Sequence, residues 1–188
     1  PYNSESYKIN WGTQNFLIND FYVKEIKNLQ SLKSYTIDAE KIISHKFNFL
    51  GTGETIWGEE INWYLDVKSK KIWDKKFFSD YDNDDLINGK NFDIKIPWEL
   101  SRMHHFLTLS QAWSVTKEEK YPEEIILQWK SWEKNNPFCY GINWVSTIEV
   151  SIRVLNLLFS MNLISNSICF KKIEKNISKN IREHGLFI

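Results

Sequence analysis

"NPFCYGINWVSTIEVSIRVLNLLFSMNL", residues 136–163, decides how this chain folds. A Pro and a Gly open the stretch, and an almost unbroken apolar run follows that still carries Glu149 and Arg153. Burying either charge is costly unless it is paired, hydrogen-bonded or turned toward a wet cleft. At about 100° per residue, Ser146, Glu149, Arg153, Asn156 and Ser160 share an arc of about 80°. Aliphatic and aromatic residues between Val145 and Phe159 take most of the remaining circumference. The pattern predicts an inverted amphipathic helix, mostly buried, with one narrow polar stripe. Two readings fit that stripe. It is either an internal Glu149–Arg153 pair at i,i+4, holding neighbouring helices in register, or a face turned to a polar cleft.

Working outward, the flanks are also helical. "PWELSRMHHFLTLSQAWSV" predicts one helix opened by Pro97, whose missing N–H costs nothing at a first helical position. Trp98, Arg102, His105 and Leu109 follow i, i+4, i+7, i+11 and are expected on one face, with Glu99 one turn from Arg102. His104 and His105 are adjacent, so at most one of them serves a common site. "KEEKYPEEIILQWKSWEKN" predicts a second helix, with Thr116 and Glu119 spaced as a capping box. Asn143 is the expected cap of the third helix, and "KKIEKNISKNIREHGLFI" closes the chain as a fourth. Short connections between long helices imply antiparallel hairpins.

Residues 1–45 read as leading helices. Phe16, Phe21, Ile26 and Leu29 lie near helical spacing, and "TIDAEKIISH" follows with Asp38 as a first-turn acid. Residues 46–96 differ in texture. Phe47 and Phe49 alternate, Gly51 and Gly53 break the run, and "DYDNDDLINGKN" is a polar turn cluster. This stretch is expected to hold short strands and irregular chain. Residues 1–188 thus read as a single, mainly α domain of antiparallel helical hairpins.

Bulk composition narrows the function. With 24 Lys+Arg against 24 Asp+Glu, the chain offers no broad basic surface for nucleic acid. Its 9 Trp, 8 Tyr and 12 Phe suit a large core, and also suit a groove where rings stack on sugars. Cys139 and Cys169 stand alone, without the spacing of a zinc site or a disulfide framework. No apolar run reaches membrane-span length. No leader is visible, although Pro1 in place of Met predicts a natural start upstream. "GTGETIWG" lacks the strand–helix context of a phosphate loop, and "DYDNDDLING" lacks the Gly and terminal Glu of a calcium loop. No metal site or cofactor is expected.

Together, "DIKIPWELSRMHHFLTLSQAWSVTKEEKY" and "WEKNNPFCYGINWVSTIEVSIRVLNLLF" resemble the N-terminal domain of the heparinase II/III family of polysaccharide lyases and its alginate-lyase-like relatives. "KFNFLGTG" and "EINWYLD" agree with the same family, so the resemblance spans about residues 36–188. It implies an incomplete (α/α) toroid, followed by a β-sandwich region that this chain lacks. The implied activity is β-elimination on an acidic, uronic-acid polysaccharide, and a degradative lyase of this kind would be periplasmic or secreted. The implied catalytic Asn–His, Tyr and His follow the segment ending "REHGLFI", so no catalytic residue is assigned here. The residues implied to line the sugar cleft are Trp98, Glu99, Arg102, His105, Asn143, Trp144, Glu149 and Arg153. Arg102 is the leading binding residue, because a guanidinium fork suits planar oxyanions. The alternative is a carbohydrate-binding or polysaccharide-assembly protein of the same fold without lyase chemistry.

Overall fold

The computed structural model describes Ile9, Trp11, residues 32–82, Leu86 and residues 92–188. Its elements are α1 (Leu32–Ile43), β1 (Lys46–Phe47), β2 (Thr55–Ile56), α2 (Lys95–Ser101), α3 (His104–Thr116), α4 (Lys120–Asn135), α5 (Thr147–Leu163) and α6 (Glu174–Phe187). Single 3-10 turns cover Phe78–Asp80, Ile142–Trp144 and Phe170–Lys172. The fold is mainly α.

Cross-links between helices give their directions. His105 at the start of α3 meets Gln128 midway along α4, while Thr116 and Lys120 sit at the connection between them. α3 and α4 are therefore antiparallel. Arg153 meets His184 in the same manner, so α5 and α6 form a second hairpin. The hairpins stack side by side. Ser110 of α3 donates to the Ser160 carbonyl of α5, and Trp129 of α4 donates to Asn180 of α6. One continuous cluster of buried apolar side chains lies between the layers, including Trp63, Phe106, Trp129, Trp132 and Trp144.

The segment 46–96 holds the expected short strands. β1 and β2 pair antiparallel, with Lys46 opposite Ile56 and Phe47 opposite Thr55. A bridge between Leu65 and Ile72 and another between Phe77 and Tyr140 are the other strand-like contacts described. The second of these ties the segment to the loop before α5. Gly141 in that loop has φ +100, a backbone conformation that side chains rarely adopt, and an added Cβ would strike the Tyr64 hydroxyl. That hydroxyl donates to the Asn135 carbonyl at 2.9 Å, so it is not free to retreat.

Several local expectations are corrected. The helix opened by Pro97 is two helices, because Met103 takes φ 62 and turns the chain between α2 and α3. Pro97 is the third residue of α2, where a backbone N–H still has no intrahelical acceptor. The capping box does not form. Thr116 ends α3 with its hydroxyl donating to Ala112, while Glu119 accepts from the Ile168 N–H. Asn143 caps nothing, since α5 begins at Thr147, four residues later. Asp38 lies inside α1, whose described start is Leu32. The helix expected over Phe16–Leu29 and most of the polar cluster at 80–91 fall outside the described residues.

The inversion of α5 goes further than expected. Its polar stripe is the buried side: Glu149, Arg153, Asn156 and Ser160 are all inside, whereas Ile148 and Leu155 are 67% and 53% exposed. Among the described residues no helix is long and apolar enough to cross a membrane.

Gly141→Ala should destabilise the protein by more than about 2 kcal/mol, through backbone strain and the collision with Tyr64. The cost should be smaller in a Tyr64→Phe background, measured as shifts of the denaturant midpoint. Equal costs in both backgrounds would remove the collision from the explanation.

Candidate functional site

The break at Met103 leaves the last carbonyls of α2 without partners in their own helix. The α5 stripe supplies them. Asn156 donates to the Arg102 carbonyl at 2.7 Å, and Arg153 reaches the Ser101 carbonyl at 3.5 Å. A cation also suits the negative end of a helix. The stripe is thus the seam between α5 and the α2–α3 corner.

At that corner Arg102 meets two carboxylates. Its Nε donates to Glu149 Oε2 at 2.6 Å and its Nη2 to Glu149 Oε1 at 2.8 Å, a two-pronged pair. Its Nη1 donates to Glu99, one turn back on α2. The Glu149 hydrogen bonds raise the Arg102 pKa above its usual value, against the opposing effect of burial. Glu149 is buried, while Glu99 and Arg102 keep an open edge at 20% and 24% side-chain exposure. His104 stands beside them, with Nδ1 3.8 Å from Glu99 Oε1. Three of the five guanidinium N–H groups are engaged, which leaves two for a ligand. The trio itself carries one net negative charge.

Arg153 does not pair with Glu149. It is fully buried, with Nε donating to His184 Nε2 at 2.9 Å and Nη2 to the Asn143 carbonyl at 3.0 Å. Its guanidinium lies 4.3 Å from the Trp132 ring centre and 5.2 Å from that of Trp144. Burial lowers its pKa to about 9, so the charge is kept at neutral pH. His184 donates through Nδ1 to the Asn180 carbonyl, which leaves Nε2 bare to accept from Arg153. Burial, and then the neighbouring guanidinium, push His184 down to about 3. It is the neutral partner of a buried cation.

The remaining residues have separate places. Trp98 donates to the Ile142 carbonyl at 2.8 Å, and Trp144 to the Asn136 carbonyl at 3.2 Å. Asn143 is buried and donates to the Trp63 carbonyl and to Asn136 Oδ1. The structure therefore joins Glu99, Arg102 and Glu149 in one cluster, and Asn143, Trp144 and Arg153 in the buried one beneath.

His105 belongs to neither cluster, because the turn at Met103 rotates α3 away from the face of α2. Its Nε2 donates to Gln128 Oε1 at 2.8 Å, and Gln128 Nε2 donates to Glu124 Oε1 at 2.7 Å. Burial lowers its pKa to about 4, so it is neutral. The chain of bonds ends at His45, which sequence reasoning missed. His45 donates through Nε2 to Glu124 Oε1 at 3.0 Å and through Nδ1 to the Gly58 carbonyl at 2.7 Å. Both partners only accept, so the ring is an imidazolium, and the bond to Glu124 raises its pKa. His45 and Glu124 are 79 residues apart, and no local pattern could have paired them. They stand at a cleft of about 850 Å³ between the 43–61 segment and α4.

Arg102→Ala should cost about 2–3 kcal/mol, because it leaves Glu149 buried and unpaired. In the Arg102→Ala, Glu149→Leu double variant much of that loss should return, read by urea unfolding. The His45–Glu124 pair has its own pH signature. A raised folded-state pKa contributes stability that is full below about pH 6.5 and is lost as pH rises through the raised value. The stability gap between the wild type and Glu124→Gln should therefore shrink from about pH 6 to 9. A gap that widens would refute the imidazolium.

The sequence model of the family described as "Heparinase II/III N-terminus" matches residues 8–188. The match begins well before residue 36, where the motif resemblance starts. The chain is also similar to a Pedobacter heparinus protein named "Heparin-sulfate lyase", 26% identical over 138 residues. That similarity covers 70% of this chain and 17% of the relative, so the chain spans well under two thirds of the relative's length. No solved structure matches it. With a family match over nearly every residue and the two motif stretches meeting at the Arg102–Glu149 seam, the chain belongs to the heparinase II/III N-terminus family.

Proposed function

We propose that this chain is the N-terminal, incomplete (α/α) toroid portion of a polysaccharide lyase that engages a uronic-acid polysaccharide for β-elimination. The observation that carries the reading is the family match over residues 8–188. The half-open Glu99–Arg102–Glu149 cluster adds a place where sugar oxygens can be held. β-Elimination requires neutralising the uronate carboxylate, removing the C5 proton and protonating the leaving oxygen. No residue of this chain is assigned to those steps. Its part is positioning: the two uncommitted Arg102 N–H groups reach a sugar oxygen, and Glu99 accepts from a hydroxyl. Arg153 and His184 keep the corner rigid from below.

A second reading is a carbohydrate-binding or polysaccharide-assembly protein of the same fold. One observation favours it. The cluster is already net negative, which suits hydroxyl groups better than a carboxylate.

The full-length protein would be offered heparan sulfate, alginate and hyaluronan, with product followed by unsaturated-uronate absorbance. Turnover of at least one is expected, with KM raised about tenfold in Glu99→Gln and kcat changed far less. Binding without product on all three would favour the second reading. Product formation that is indifferent to Glu99→Gln would remove the cluster from the substrate path.

A further inference from the structure

The cleft beside His45 has no role in the reading above. It lies between α4 and residues 43–61, and a second hollow of about 420 Å³ continues it past Glu60, Ile61, Ser131 and Asn135 toward Tyr64, Trp73 and Lys75. Along α4 the lining runs from Glu124 to Asn135, a span of twelve residues, or about 16 Å of helix. Its volume lies within the usual range of ligand sites, about 300–1,000 Å³. The shape is a slot.

Its charges are arranged by wall. Glu59 and Glu60 line the loop side, and Lys130 and Lys134 line the α4 side. All four are exposed, and among the described residues none of them forms an ion pair. The one charge pair that crosses the cleft is His45–Glu124, which bonds the loop side to α4 and cancels its own charge. Ile61 is buried beneath, and Trp63, two residues on, donates to Ser131 at 3.1 Å and stiffens the α4 side. The larger cleft, net-neutral with unpaired carboxylates on one wall and unpaired ammonium groups on the other, selects a ligand that carries both signs, while Lys75 in the smaller hollow is a further cation bonded to Asn135. Opposite charges facing a ligand give orientation as well as attraction.

We propose that this slot binds a linear saccharide segment in which a uronate carboxylate faces Lys130 and Lys134 and a protonated amino sugar faces Glu59 and Glu60. The inference rests on the polysaccharide reading of the family, and it names the substrate chemistry that reading leaves open. It also separates two tasks. The Arg102 cluster handles neutral oxygens, whereas the slot reads the charge pattern along the chain.

Two hexasaccharides of alternating uronate and glucosamine, one with free amines and one fully N-acetylated, would be titrated calorimetrically against the full-length protein. The free-amine probe should bind about tenfold more tightly, the sum of two surface ion pairs. Glu59→Gln with Glu60→Gln should abolish that preference, and Lys130→Gln with Lys134→Gln should weaken both probes about tenfold. Equal binding of the two probes by the wild type, no binding of either, or a preference that survives the Glu59/Glu60 change would overturn the proposal. Equal competition by a Lys–Glu repeat peptide would overturn it in favour of a peptide site. β-Elimination measured in parallel keeps the two claims apart. A protein that makes unsaturated product but ignores the amine refutes the slot alone, and one that prefers the amine but makes no product refutes the lyase alone.

Discussion

A guanidinium with no contact with solvent holds this structure together. Arg153 extends from α5 to His184 on α6, to the Asn143 carbonyl in the turn before α5, and toward the end of α2, with Trp132 of α4 on one ring face. Five parts of the chain converge on a single charge. Taking that charge out of water is expensive, and the cost is offset only if every N–H finds an acceptor or an aromatic face. This requirement explains why His184 must be neutral, why Asn180 fixes its tautomer, and why Trp132 and Trp144 lie where they do. It also fixes the height at which Glu149 emerges, one helical turn away, and therefore where Arg102 is held.

The helical class, the hairpins and the short strands of 46–96 were legible because period and punctuation are local signals. α4 and α6 follow their apolar spacing, α5 is a helix where its period places one, and Gly51 and Gly53 break the chain as expected. What failed was local in another sense. Met103 has no side-chain feature that announces a left-handed backbone, so one periodic run concealed two helices and carried His105 onto the wrong face. Thr116, Glu119 and Asn143 had the right chemistry for caps, but Thr116 bonds back to Ala112 in its own helix, and tertiary partners claimed the other two. Of the two readings of the α5 stripe, the internal Glu149–Arg153 pair does not form, since Glu149 takes Arg102 and Arg153 takes His184.

The site divides along the same line. Motif spacing located Glu99, Arg102 and Glu149, because they are carried by the two stretches that resemble the family. The His45–Glu124 cleft was invisible, because its members come from distant parts of the chain that carry no shared motif. The two places differ in chemistry as well as in visibility. One is a preassembled cluster with little spare charge, and the other is a slot whose charges are uncommitted.

The α2–α3 corner also imposes an order of events on folding. Met103 holds a costly backbone angle, and although Glu99 is local, the Arg102 carbonyl waits for Asn156 and two of its side-chain N–H groups wait for Glu149, 54 and 47 residues further along. Closing loops of that length is entropically unfavourable until the contact is made. The corner therefore sets only after α5 has docked, and α5 in turn awaits His184, 31 residues beyond Arg153. A nascent chain emerging from its amino end would carry the Arg102 corner without these partners until α5 and α6 have been made.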